Sequence, residues 1–131
     1  MSVSLHHIQL QVPKDLLPQL KAFYLQLFDL KEGPRPAFKS HGFWLYSAAQ
    51  PLIHINQSED TSLRRTSQTT LDHVAFSCQN LAAMLAKLEQ MQVAYQCKDV
   101  PPLLGVETGQ KQVFIHDPAG NRLELNFEIT G

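Results

Sequence analysis

Three histidines and one glutamate, His7, His54, His73 and Glu124, stand where this chain can do chemistry: each is a donor to a divalent metal, and each falls in a strand-like segment. Residues 5–12, LHHIQLQV, alternate apolar and polar side chains, the period-two pattern of a half-buried strand. Neighbouring strand residues point to opposite faces, so Ile8, Leu10 and Val12 form an apolar row, with His7, Gln9 and Gln11 opposite. The same parity sets His73, Ala75 and Ser77 against Val74, Phe76 and Cys78, and His54 and Asn56 against Ile53 and Ile55. It also sets Arg122, Glu124 and Asn126 against Leu123, Leu125 and Phe127. A plain solvent face would be rich in Lys, Thr and Glu. This one carries three imidazoles and a carboxylate, with Trp44, Tyr46, Phe114 and His116 near them by the same rule. Neutral imidazole and ionised carboxylate are ligands for Zn²⁺, Fe²⁺, Ni²⁺, Mn²⁺ or Co²⁺. A single strand histidine is more often a structural group, but four donors at related places point to a site. His6 is expected to point away from His7 and to be structural. His41, at a loop-to-strand entry, falls outside the ligand set, and His116 is a candidate supporting group or base.

The elements that must position these residues come as a diverged repeat. Residues 5–12 lie over 71–78, with His7 on His73; residues 43–56 lie over 113–126, with His54 on Glu124 and Asn56 on Asn126. The reading is two copies of one unit, residues about 1–60 and 68–131, within a single domain. Each copy runs strand, helix, strands. Pro13 closes the first strand, and Asp15 is the expected N-cap of a helix whose apolar stripe is Leu16, Leu20, Phe23, Tyr24, Leu27 and Phe28. Residues 31–36, KEGPRP, break it. In the second copy Asn80 is the expected cap, and Leu81, Met84, Leu85, Leu88 and Met91 carry the stripe to about Gln92. Strands are expected at roughly 43–47, 52–56, 94–98, 112–116 and 122–128, the last two joined as a hairpin by the turn residues of 117–121, DPAGN. Residues 57–70 read as a solvated linker in which Arg64 and Arg65 are in reach of an anionic ligand.

Composition sets the outer limits. The chain has 131 residues, 44% hydrophobic and 18% charged, which suits one ordinary globular core. Eleven Lys and Arg against twelve Asp and Glu leave a net charge of −1, so the basic footprint of a nucleic-acid binder is missing. No apolar run is long enough to span a membrane and the first residues do not read as a signal peptide, so the expectation is a cytoplasmic protein without membrane or nucleic-acid partners. Cys78 and Cys97 form no CxxC pair and read as incidental thiols.

Paired βαβββ units with His on the first strand of each copy and an acidic residue on the last strand resemble the vicinal oxygen chelate superfamily of glyoxalase, bleomycin-resistance, fosfomycin-resistance and extradiol dioxygenase proteins. The segments that carry the resemblance are LHHIQLQVP with the following AFYLQLFDL, then LDHVAFSC, then FIHDPAGNRLELNF, and together they cover nearly the whole chain. The resemblance implies an α+β fold in which the two units form a curved mixed sheet, a half-barrel cup with helices outside. It implies one divalent metal held by His7, His73 and Glu124. His54 stands where the glyoxalase I pattern has a second glutamate, so it is either a fourth ligand or a base, and Glu124 or His54 is the proton-moving group. Gln9, Asn56, Arg122 and Asn126 would orient ligands or substrate, and Trp44, Tyr46 and Phe114 would wall the cavity. The implied chemistry is metal stabilisation of charge on neighbouring oxygens of a small substrate, as a glyoxalase-like lyase or isomerase. The alternatives are an Fe(II) extradiol dioxygenase and a non-catalytic small-molecule binder of the bleomycin-resistance kind. A homodimer is the expected assembly, with the cup closing within one chain or across two.

Overall fold

In the computed structural model, residues 1–59 and 70–128 are described. Arg64, Arg65 and most of the expected linker lie outside these residues. The chain divides into two compact units, Met1–Arg64 and Arg65–Gly131. Among the described residues no helix is long and apolar enough to cross a membrane.

The first unit runs β1 (Ile8–Val12), a 3-10 turn (Lys14–Leu16), α1 (Leu17–Leu27), β2 (Lys31–Gly33), β3 (Gly42–Ser47) and β4 (Gln50–Gln57). Its sheet order is β1-β4-β3-β2, with β1 parallel to β4 and the other pairs antiparallel. The second unit runs β5 (Val74–Cys78), α2 (Leu81–Gln90), β6 (Gln96–Asp99), β7 (Gln110–His116) and β8 (Arg122–Glu128). Its order, β5-β8-β7-β6, and its strand directions repeat those of the first. The architecture is α+β, two βαβββ units of one topology.

Each core follows the apolar rows. In the first unit Val12, Leu45, Ile53 and Ile55 of the strands are buried together with Leu17, Leu20, Phe23, Tyr24 and Leu27 of α1, which packs on β3 and β4. In the second, Val113, Ile115, Leu123, Leu125 and Phe127 are buried, and α2 contributes only Met84 and Leu88. The helix starts differ from each other. Asn80 caps α2 as expected, its Oδ1 accepting the Ala83 N–H at 3.1 Å. Asp15 does not cap α1: Lys14–Leu16 form a 3-10 turn, Leu16 is the N-cap without a side-chain bond, and Pro18 opens the helix where its missing N–H costs nothing.

Two other local expectations fail for physical reasons. Lys31–Gly33 is a strand rather than a plain breaker, a three-residue edge too short to show an alternating pattern. Strands β1 and β5 begin at Ile8 and Val74, so His7 and His73 each immediately precede a strand. The 117–121 turn joins β7 to β8 as expected. The buried Asp117 carboxylate accepts the N–H groups of Ala119 and Asn121 at 2.9 Å and the Asn121 side-chain amide at 2.9 Å. That closure holds the β7–β8 register that pairs Phe114 with Glu124.

Candidate functional site

In the first unit the register places Trp44 beside His54 on β3 and β4, and Gln9 of β1 beside His54 on its other side. The three aromatic groups form a stack. The His54 ring lies 3.8 Å from that of His7 and 4.1 Å from that of Trp44, with interplanar angles of 10° and 15°. His54 is only 6% exposed, although a histidine at that depth must find partners. The Pro51 backbone supports the ring, while the Nε2 atom is buried with no hydrogen-bond partner among the described residues. With the proton on Nδ1, that Nε2 offers a lone pair, the arrangement used by metal-ligating histidines. Burial, reinforced by neighbouring His7, pushes the His54 pKa below 6.5 and keeps the ring neutral. Gln9 donates to Asn56 Oδ1 at 3.1 Å, on the same face.

These residues line a cleft of about 370 Å³ bounded by His6, His7, Gln9, Arg35, Phe38, Ser40, Trp44, His54, Ile55 and Asn56. His6 faces it too, contrary to the parity expectation. The chain is not yet a strand at His6, so alternation does not apply there; its Nδ1 lies 2.8 Å from that of His7, and its carbonyl accepts from Gln50. Tyr46 does not line the cleft. Its ring lies over Gly33, where a Cβ would come within 2.6 Å of it, and its hydroxyl donates to the Pro34 carbonyl at 2.5 Å.

The second unit puts charge where the first has rings. His73 Nε2 is 3.3 Å from Glu124 Oε1, and its Nδ1 is 2.7 Å from Asp72 Oδ2. Arg122 donates to the same Asp72 oxygen at 2.9 Å and covers the Phe114 ring at 4.3 Å, while His73 meets that ring edge-on at 6.0 Å. The hydrogen bond from His73, then that from Arg122, holds the Asp72 carboxyl below its usual 3.8. Asn126 donates to Glu124 Oε2 at 2.5 Å, and its Oδ1 is buried without a hydrogen-bond partner among the described residues. Glu124 is 7% exposed. His116 is exposed at the end of β7, opposite Arg122, and His41 is exposed with its ring edge on Phe43. Burial pushes the Cys78 thiol up to about 11, so it is no thiolate nucleophile at neutral pH.

The structure thus brings the expected donors together as two pairs, His7 with His54 and His73 with Glu124. Among the described residues, no group of three or more His, Cys, Asp or Glu is placed to hold a metal. The atoms of the pairs nonetheless suit a divalent cation. The partnerless Nε2 of His54 has the required lone pair. With the Nδ1 proton of His73 directed at Asp72, its Nε2 lone pair faces the Glu124 carboxylate. Two donors on bonds of about 2.0–2.1 Å at a tetrahedral angle stand about 3.3 Å apart, the separation found there. Asp72 is a site residue that sequence reasoning missed, although its place beside His73 was a signal for the carboxylate that often orients a ligating histidine. Arg35, also missed, sits in a Pro-flanked segment with no pattern to mark it.

Comparison with known proteins agrees with this architecture. The family model of the Glyoxalase/Bleomycin resistance protein/Dioxygenase superfamily matches residues 4–125. No curated protein matches the chain. Among solved structures, a glyoxalase family protein from Bacillus anthracis superposes with a TM-score of 0.75 at 21% identity, covering 98% of each chain. A glyoxylase/bleomycin resistance protein/dioxygenase domain from Frankia sp. EAN1pec gives 0.76 at 19%, covering 100% of this chain and 96% of its own. A glutamate-to-glutamine mutant of the fosfomycin resistance protein FosX from Listeria monocytogenes, complexed with Mn(II) and 1S,2S-dihydroxypropylphosphonic acid, gives 0.70 at 20%, covering 98% and 95%. At these identities the likeness to the solved structures is one of fold, while the family model fixes membership: this chain belongs to the Glyoxalase/Bleomycin resistance protein/Dioxygenase superfamily.

Proposed function

We propose that the protein is a divalent-metal-dependent, glyoxalase-like enzyme whose small substrate chelates the metal through neighbouring oxygens. His7, His73 and Glu124 are the proposed ligands, with His54 as a fourth donor or as a base beside them. The observation that carries the reading is the partnerless Nε2 of a buried, neutral His54 in a cleft large enough for a small metabolite. The His73–Glu124 separation supports it. A bound Zn²⁺, Fe²⁺, Ni²⁺, Mn²⁺ or Co²⁺ would stabilise negative charge developing on the substrate oxygens.

The chain's own groups divide the remaining work. Asp72 and Arg122 orient His73, and Asn126 holds Glu124 at Oε2, leaving Oε1 toward His73. Glu124 and His54 are the proposed proton carriers: one is an ionisable carboxylate, the other a ring kept neutral and able to accept at Nε2. Gln9 and Asn56 present amides to the substrate, and Trp44 and Phe114 wall it. Tyr46 keeps the Pro34 segment in place. The proposed working form is a cytoplasmic homodimer. It is supported by the two free cysteines, which suit a reducing compartment, and by the edge strands β1, β2, β5 and β6, which each sheet must keep from indiscriminate pairing.

The test is turnover by chelator-treated protein reloaded with each ion in turn, followed by NMR on a thiohemiacetal substrate beside an oxygen electrode with a catechol. Metal-dependent isomerisation without oxygen uptake supports the proposal. Oxygen uptake with Fe²⁺ alone moves the protein to the dioxygenases. Ligand binding with no metal uptake makes it a binder.

A further inference from the structure

We propose that Arg35 recognises a terminal oxyanion, a carboxylate or a phosphonate or phosphate group, on the molecule that enters the first-unit cleft. The proposal rests on the reading of that cleft as the substrate site. Apart from Arg35, the ten lining residues comprise four aromatic or imidazole rings besides His6, three polar amides or hydroxyls, and one aliphatic side chain, with no Asp or Glu. The half-buried guanidinium donates from Nη1 to the Ser40 carbonyl at 3.0 Å and from Nη2 to Ser40 Oγ at 3.1 Å, both neutral acceptors. A guanidinium carries five N–H donors in a planar fork suited to bidentate oxyanion binding, so donors remain after Ser40 is served. Glu32, three residues before Arg35 in the chain, is engaged by Lys21 at 2.7 Å.

The position is built into the fold. The guanidinium lies 5.0 Å from the Phe38 ring centroid, and Phe38 in turn lies 6.4 Å from Trp44, at the end of the His7–His54–Trp44 stack. Gly42 makes the room. A Cβ there would stand 3.1 Å from Arg35 Nη2, besides striking the Ile55 carbonyl at 2.4 Å. Gly42 is paired with Asn56, two residues along β4 from His54, so the cation lies against the strands that hold Trp44 and His54. A fixed positive charge in a cleft lined by no Asp or Glu favours an anion, and favours it more as the substrate excludes water. Ser40, held by the same guanidinium, keeps its own hydroxyl proton to donate.

The test uses Trp44, the single tryptophan, as reporter. Metal-free full-length protein is titrated at constant ionic strength with lactate, inorganic phosphate and the neutral twin lactamide, following its fluorescence. The expected result is a saturable change with one or both anions and none with lactamide, weakened tenfold or more in Arg35→Met and less in Arg35→Lys, with melting temperatures unchanged. Preference for lactate names a carboxylate substrate, and preference for phosphate a phosphonate or phosphate. No saturable change with either anion, equal binding by Arg35→Met, or lactamide binding as tightly as lactate would overturn the proposal. Because this titration needs no metal, failure of metal uptake would leave its result standing and would remove only the metal reading.

Discussion

The first unit offers its donors in a stack of rings, and the second offers them in a chain of charged hydrogen bonds. His54 and Glu124 occupy the same place on β4 and β8, each beside an aromatic residue on the preceding strand. Around the imidazole the neighbours are ring faces and an amide pair; around the carboxylate they are an amide donor, a histidine and the Asp72–Arg122 pair. Duplicated topology preserves where a side chain stands, while the residues packed on it decide whether that place is neutral or charged. Glu124 is the single carboxylate among the proposed ligands, a charge suited to a divalent cation.

The helices differ in the same way, and their difference predicts the largest effect. Leu20 is fully buried in α1, whereas Leu81 is half-buried in α2. Leu20→Ala should cost about 2–5 kcal/mol in urea unfolding, and Leu81→Ala less than half of that. Equal losses would show that α2 is packed as closely as α1. At the site, Asp72→Asn should weaken metal binding about 10–100-fold in calorimetry by releasing His73, whereas Gln9→Ala, which removes only a bond to Asn56, should change it little. A reversal would place the working ligands in the first unit. Asn80→Ala should cost about 1 kcal/mol, while Asp15→Ala, which caps nothing, should be near neutral.

The smallest effect is the contribution of Asp72 to the pH dependence of stability. The Asp72 carboxyl is depressed in the folded protein, so its stabilisation is complete above its ordinary 3.8 and is lost as pH falls through the lower folded value. Asp72→Asn should flatten the acid limb of the melting-temperature profile slightly, because the group is exposed.

What the sequence disclosed was what strand periodicity encodes. The apolar rows of β1, β4, β5 and β8 carried the parity that sorted His54 and Glu124 onto one side and aligned the two copies. Periodicity is silent where the chain is not a regular strand. Hence parity points His6 the wrong way, residues 31–36 mark the end of the helix without revealing the strand at Lys31–Gly33, and no pattern marks Arg35 between its two prolines. Asp15 looked like a cap because its type is right, but Pro13 and Pro18 set a 3-10 entry that leaves no place for it. Tyr46 shares the strand of Trp44, yet the register shift between Leu45 and Tyr46 falls between them, and its hydroxyl is directed to Pro34.

The central claim is the proposed role of His7, His73 and Glu124 as metal ligands. Elemental analysis of untagged protein, purified without chelator or immobilised metal, should find about one divalent metal per chain and none in a His7→Ala/Glu124→Ala double mutant that retains the parent's circular dichroism. No metal in the parent, with no uptake on titration and no change in melting temperature, would contradict the account.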